Sequence, residues 1–443
     1  MGLLAELGKC LYRIGINDLS PADIEAAKGR VLDTLSCAVA GSDLPVARAV
    51  LGVVKEFPGK CTVVGHRGGI AMLDAALANA VMAHSTSQDD LMAGIAHPGS
   101  VIVPSALAVA EHENASGAEV LTAVVLGYDM VGRLLRATGG VANPAFRPGT
   151  VFTAFGAAAA AGKLMKLNEN ELANALGYAA SLTPGMPNEG WWGGTMEPML
   201  EMGVTSRTGI MSALFARAGA TVSPYTLEGR HGFFRCWSGS GGNPEEITKG
   251  LGEQFAISRT FIKPFATCGA NQVPVQIAST LSAYKLKSAD IVKVVERLRP
   301  GASDYAGLDH RGPFISHPQA LMSMQFCAAA AILGRPLDTP EFITRYYDDA
   351  EVGELAAKVE LVSEAGRSLP GFEIRTKDGR VLTAEVSAFD RSIHVPTICG
   401  MQNKFRLLGQ TCVGKNEIEE IIESVMHLEE AEDIRKLTAN LKK

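Results

Sequence analysis

Asp89, Asp90 and His97 lie in the stretch AHSTSQDDLMAGIAHPGS (83–100), a run of small polar residues between two apolar, alanine-rich segments. An imidazole titrates near neutrality. Held at the start of the helix that Pro98 opens and oriented by a neighbouring carboxylate, it suits general acid–base work. A polar loop set between buried helices raises the functional weight of such a histidine above that of an isolated one. A divalent cation fits less well, because His84 is the only further ligand nearby in sequence. In FRPGTVFTAFG, Arg147 stands just before Pro148 and a helix start. Helix N-termini attract anions and a guanidinium can fork a carboxylate, although a plain surface arginine is the simpler reading. In FIKPFATCGANQ, Lys263 is framed by Ile262 and Phe265. Such a lysine is either partly desolvated and fit for proton transfer, or it snorkels to water and does nothing.

These groups need elements to hold them. The first 265 residues read mostly as helix. SPADIEAAKGRVLDTLSCAVAG offers Ser20 as N-cap, Pro21 at the first helical position and acids in the first turn, with Gly41 as the stop. NENELANALGYAA carries a capping box, Asn168 with Glu171. Segments rich in Ala and Gly and apolar nearly all round predict close helix packing in a deep core. Beyond residue 265 the texture becomes β-branched and alternating, and Asp378-Gly379 marks a hairpin turn in FEIRTKDGRVLTAEVSAF. The expectation is a mostly α chain: a large all-helical domain over 1–265, a smaller α+β domain over 266–400, and C-terminal helices from about 400 to 443 that rejoin the first. A cleft between two such domains is a usual place for a small-molecule site.

Composition narrows the function classes. Of 443 residues, 47% are hydrophobic and 20% charged, which is ordinary for a globular chain. A net charge of -6 gives no basic surplus, so no nucleic-acid partner is expected. Eight cysteines include no CxxC pair and read as buried free thiols in a reducing compartment. The N-terminus carries Glu6 and Lys9 where a signal peptide wants an apolar run, and the longest uncharged run is broken by Pro98 and Pro104. No membrane span and a cytoplasmic location are expected. SGSGGN (238–243) resembles a phosphate cradle only loosely, since no strand leads into it and acids follow it. The serine-hydrolase pattern around Ser240 is degenerate.

RVLDTLSCAVAG, DAALANAVMAHSTSQDD with the following His97-Pro98, GTVFTAFGAAAAAGKL, LANALGYAAS and FIKPFATC, in this order, resemble the MmgE/PrpD family. That family includes 2-methylcitrate dehydratase, cis-aconitate decarboxylase and iminodisuccinate epimerase. The resemblance implies a helical domain, a smaller α+β domain, a cleft between them, a homodimer, a polycarboxylate substrate, no redox cofactor and no required metal. The sequence departs from the lyase members at several points. Ser87 stands where they carry Asp, Leu91 where they carry Thr, and Arg147 where they carry His. Pro198, in PMLEMG, replaces a Lys, and Gln272 replaces a His. In the decarboxylases a further His falls at Cys268 and a Tyr at Phe326. His97 and Lys263 are kept.

Dehydration needs both a base and an acid for the leaving hydroxide, whereas epimerisation needs two proton-handling groups on opposite faces of one carbon. The losses therefore point to the iminodisuccinate epimerase branch. On this expectation His97 and Lys263 are the bases and Asp90, with Asp89, orients His97. Arg147 grips a carboxylate, and Gln272, Asn271, Cys268 and Arg207 contact substrate. A lyase and a non-catalytic carboxylate binder are the alternatives.

Overall fold

A computed structural model describes residues 2–139, 145–183, 185–238, 241–410 and 413–442. Gly239, Ser240 and Cys412 lie outside the described residues. The chain forms a large helical domain and a smaller α+β domain. The helix Pro21–Gly41 starts as the sequence expects: the Ser20 hydroxyl accepts from the Asp23 backbone N–H, and the Asp23 carboxylate accepts from the Ser20 N–H. Asn168 and Glu171 cap the helix Glu169–Leu182 in the same reciprocal way.

Small residues set the helix spacing. The helices Gly117–Thr138 and Pro148–Leu164 cross where Gly127 faces Gly156. A Cβ on either glycine would sit 2.8 Å from the other's carbonyl oxygen, so no side chain fits there without separating the helices. Further along, Gly209 of the helix Glu197–Arg217 meets Ala157. This close packing buries the alanine-rich segments and leaves little room around any polar group placed among them.

The smaller domain holds a four-stranded sheet. Ile291–Leu298 pairs in parallel with Val359–Ser363 on one side and antiparallel with Gly371–Thr376 on the other, and Val381–Ala384 closes the sheet. The last two strands form the hairpin expected at Asp378-Gly379, where Gly379 has φ 84°. The C-terminal helix Ile398–Gly409 returns to the helical domain. There Lys404 donates to the Asp33 carboxylate at 2.6 Å and to the Gln88 carbonyl at 2.7 Å. Among the described residues no single helix is long and apolar enough to cross a membrane.

One small feature decides where the site forms. Leu91–Met92 pairs antiparallel with Thr260–Phe261, Leu91 opposite Phe261 and Met92 opposite Thr260. Continuing that register by two residues brings Asp89 opposite Lys263. The two-residue strand thus carries the first polar loop onto the second.

The central strand of the larger sheet also holds a buried acid. Neither carboxylate oxygen of Glu296 has a hydrogen-bond partner among the described residues, and burial pushes its pKa up to about 8 from 4.5. The folded protein keeps a proton that the unfolded chain releases above pH 4.5. This contribution to stability is complete below pH 4.5 and is lost as pH rises through about 8. Glu296→Gln is expected to flatten that slope. Urea denaturation from pH 5 to 8.5 should show the variant gaining on the wild type as pH rises, by up to about 1.4 kcal/mol per unit. A pH-independent difference would mean that Glu296 does not titrate in this range.

Candidate active site

The loop 85–97 is built from strained and capped pieces. The helix Met72–His84 ends at His84, whose carbonyl accepts from the Ser87 N–H at 2.9 Å. Ser87 sits at φ 51°, Ala93 at φ 53° and Gly94 at φ 72°. The first two are non-glycine residues in the left-handed region, a conformation that persists only where the surroundings impose it. Met92 both donates to and accepts from Ala96, which closes a tight turn before His97 and Pro98 open the helix Pro98–Glu113.

Asp89 is the centre of the arrangement. Its Oδ1 lies 3.2 Å from Lys263 Nζ. Its Oδ2 accepts from His84 Nδ1 at 2.9 Å and lies 3.5 Å from His97 Nδ1. Burial pushes this carboxyl up, but His84, Lys263 and His97 outweigh it and hold Asp89 well below the usual carboxylate range. The ionised oxygen makes His84 Nδ1 the protonated nitrogen. The other ring nitrogen, Nε2, then accepts from Arg147 Nη2 at 2.6 Å. Arg147 further donates to the Pro198 carbonyl and to Glu201 at 3.0 Å, and its guanidinium carbon lies 5.3 Å from the centre of the Trp191 ring. A chain of polar contacts therefore runs from Glu201 through Arg147 and His84 to Asp89 and Lys263.

His97 stands at the edge of this chain. Its Nδ1 donates to the Asp90 backbone carbonyl at 2.9 Å. A carbonyl only accepts, so Nδ1 carries the proton and Nε2 carries the lone pair. Burial lowers the His97 pKa well below its ordinary value, and Lys263 lowers it further. Burial likewise lowers that of His84, against the pull of Asp89. Both rings are neutral at neutral pH, and they lie 4.7 Å apart, centre to centre.

A cavity of about 250 Å³ opens beside them. His84, Ser87, His97, Arg147 and Trp191 line it from the helical domain, and Cys268, Arg299, Gly301, Ala302 and Tyr305 line it from the smaller domain. No Asp or Glu lines it among the described residues. Ligand atoms of His84, Asp89 and His97 lie within 4.8 Å of one another, a spacing that suits a cation. The hydrogen-bond directions favour the network instead, because both Nδ1 atoms carry protons and two side-chain cations already face the cluster.

The geometry places several of the expected site residues as follows. Asp90 orients His97 through its backbone carbonyl, not its carboxylate. The side chain accepts from the Gly99 N–H at 2.9 Å and from the Tyr128 hydroxyl at 2.8 Å, capping the Pro98 helix. Burial pushes that carboxyl up to about 7. Asp89, read as the lesser of the two acids, holds the charged groups. Lys263 meets His97 across Asp89, but it is fully buried and does not line the cavity. Gln272 is consumed internally, its amide donating to Phe265 and Thr267 and its carbonyl accepting from Phe265. Asn271 donates to the Leu321 and Met322 carbonyls and lies away from the cavity. Arg207 is half-exposed, 3.8 Å from Asp74. Cys268 and Arg147 do line the cavity. The sequence reading treated His84 only as a metal candidate and passed over Trp191, Glu201, Arg299 and Tyr305. His84 was signalled by its place in the same polar stretch. The others bear no local signal and are gathered by tertiary packing.

Residues 5–245 match the MmgE/PrpD N-terminal domain and residues 265–429 the MmgE/PrpD C-terminal domain. The chain belongs to the MmgE/PrpD family. Among its relatives is the cis-aconitate decarboxylase of Aspergillus terreus, 25% identical over 98% of this chain and 95% of that one. Another is the human cis-aconitate decarboxylase, 26% identical over 98% of this chain and 93% of that one. A cis-aconitate decarboxylase-like protein of Aspergillus oryzae is 24% identical over 96% of this chain and 95% of its own length. Each of these relatives is named as a cis-aconitate decarboxylase or as decarboxylase-like.

Two predictions follow from the charge network. Asp89→Ala is expected to cost about 3–5 kcal/mol of unfolding free energy, because it strands a buried ammonium. Lys263→Met in the same background should recover much of that loss in urea denaturation, and purely additive costs would discard the coupling. In nitrogen-15 spectra at pH 7, His84 and His97 should appear as neutral rings protonated at Nδ1. Imidazolium signals from either would contradict the assigned directions.

Proposed function

We propose that this chain is a lyase of the decarboxylase or dehydratase kind, acting on a small polycarboxylate with His97 as its proton-transfer group. The observation that carries the proposal is the cavity lining: two arginines, two neutral imidazoles and, among the described residues, no carboxylate. Such a lining attracts an anion and offers one basic nitrogen to it, His97 Nε2. The volume of about 250 Å³ lies below the usual range for drug-sized ligands, about 300–1,000 Å³, which suits a compact polyacid.

The neutral ring is ready to take a proton from a carbon beside a carboxylate, as dehydration requires. A polyanion bound against it raises its pKa, so it can also enter the complex protonated. In a decarboxylation the carbon–carboxylate bond breaks, its electron pair moves into the adjoining unsaturated system, and the imidazolium returns a proton to carbon. Arg147 faces the same cavity and supports carboxylate binding, while Asp89 and Lys263 set the field around the ring. The names of the relatives, cis-aconitate decarboxylases, support this class.

Epimerisation beside a carboxylate, as of iminodisuccinate, is the second reading. It is favoured by Arg147, Pro198, Cys268 and Phe326, each standing where the lyase members carry another residue. Two-base inversion with Lys263 fits less well, because that amine lies behind Asp89 and not on a face of the cavity.

Product analysis separates the readings. With cis-aconitate, citrate and 2-methylcitrate, the lyase reading expects carbon dioxide or a change in alkene absorbance. His97→Ala should reduce kcat by about 10²–10⁴. Deuterium uptake from D2O into iminodisuccinate without loss of carbon dioxide or water would transfer the assignment to epimerisation. If no polyacid reacts or exchanges while carboxylates still raise Tm, the protein is a carboxylate binder and no catalyst.

A further inference from the structure

Every charged group at the cavity except one is already balanced. Arg147 is committed to Glu201, to the Pro198 carbonyl and to His84. Lys263 is balanced by Asp89 and does not reach the cavity. His84 and His97 are kept neutral by burial. Arg299 alone among the charged lining residues forms no ion pair or side-chain hydrogen bond with the described residues.

Its position is fixed by the backbone. Arg299 directly follows the central strand Ile291–Leu298, so its Cα is carried by the most tightly paired element of the smaller domain. The chain then turns sharply. The Ala302 N–H donates to the Arg299 carbonyl at 3.2 Å, and Gly301 takes φ 76°, a left-handed conformation that glycine adopts without strain. The nearest acid in the turn, Asp304, approaches Gly301 and forms no ion pair with Arg299. Arg299 is exposed and lines the cavity with Gly301, Ala302 and Tyr305 of the smaller domain, while His84 and His97 line it from the helical domain. An arginine in this state has five donors to offer and little desolvation cost to meet on binding an anion.

We infer that Arg299 is the specificity-determining clamp for the substrate's distal carboxylate, the group that makes the site select di- and tricarboxylates over monocarboxylates. This deepens the proposed function and rests on it for the identity of the ligand. A polyacid gripped by Arg299 at one carboxylate is held between the two domains, with its reacting carbon left free to meet His97. The domain that carries Arg299 therefore reads substrate length, while the helical domain carries the proton-transfer group.

The inference is tested with unreactive probes, tricarballylate, succinate and butyrate, titrated calorimetrically into the full chain. Arg299→Ala should weaken tricarballylate roughly tenfold or more and butyrate less than twofold, and Arg299→Lys should recover part of the loss. The wild-type preference for tricarballylate should shrink at high salt, because Arg299 is exposed. Unchanged tricarballylate affinity in Arg299→Ala overturns the inference, as does an equal loss for butyrate with the Tm preserved. Binding without turnover of any polyacid would sink the lyase reading and leave the clamp standing. If the wild type binds none of the probes, both fall.

Discussion

A single ionised carboxylate, Asp89, is the constraint on which the site depends. Burying a charge without partners costs many kcal/mol, so the protein must surround it with donors. It does so with the Lys263 ammonium on one oxygen and the His84 ring on the other, with His97 just beyond hydrogen-bonding distance. Each donor is then constrained in turn. His84 must be protonated at Nδ1, so its far nitrogen must accept, and Arg147 supplies the donor. The position of Arg147, the tautomer of His84 and the depth of Lys263 all trace back to one buried negative charge.

The same reasoning connects two sequence departures that look independent. Arg147 and Pro198, which the resemblance sets where lyase members carry His and Lys, are fifty-one residues apart. In the folded protein the Arg147 guanidinium donates to the Pro198 carbonyl and to Glu201 one turn further on. A lysine at 198 would add a second cation to the turn whose backbone carbonyl holds the guanidinium. Arginine at one position and an uncharged residue at the other form a consistent pair, and Glu201 balances what remains.

Much of the fold was legible because local chemistry agrees with global packing. Ser20 with Asp23, Asn168 with Glu171 and the Asp378-Gly379 turn all formed where the sequence placed them. The candidate site was legible in which residues gather and less so in which side chains contact one another. The polar loop, His97, Lys263 and Arg147 were all read from their neighbours in sequence; His97 and Lys263 flank Asp89, and Arg147 is joined to it through His84. Which of two adjacent aspartates faces the imidazoles was not legible, because it depends on a two-residue strand pairing with a segment far downstream. Gln272 and Asn271 look like ligands in a linear reading, since an amide bears no mark of whether the backbone will use it. Arg299 was missed because its segment reads as the end of a strand. Only the packing of one domain against the other turns that end toward a cavity.

The pairing of Leu91–Met92 with Thr260–Phe261 has a consequence during synthesis. Asp89 emerges 174 positions ahead of the lysine that neutralises it. Until that lysine leaves the ribosome, the nascent helical layer has only the His84 and His97 rings to set against the acid at its heart. The early helices can collapse around it with the acid protonated, still wetted, or paired with a protonated His84. The finished pocket is therefore a late event in the life of each new chain, and a chain cut short before the second strand can hold helices but not this centre.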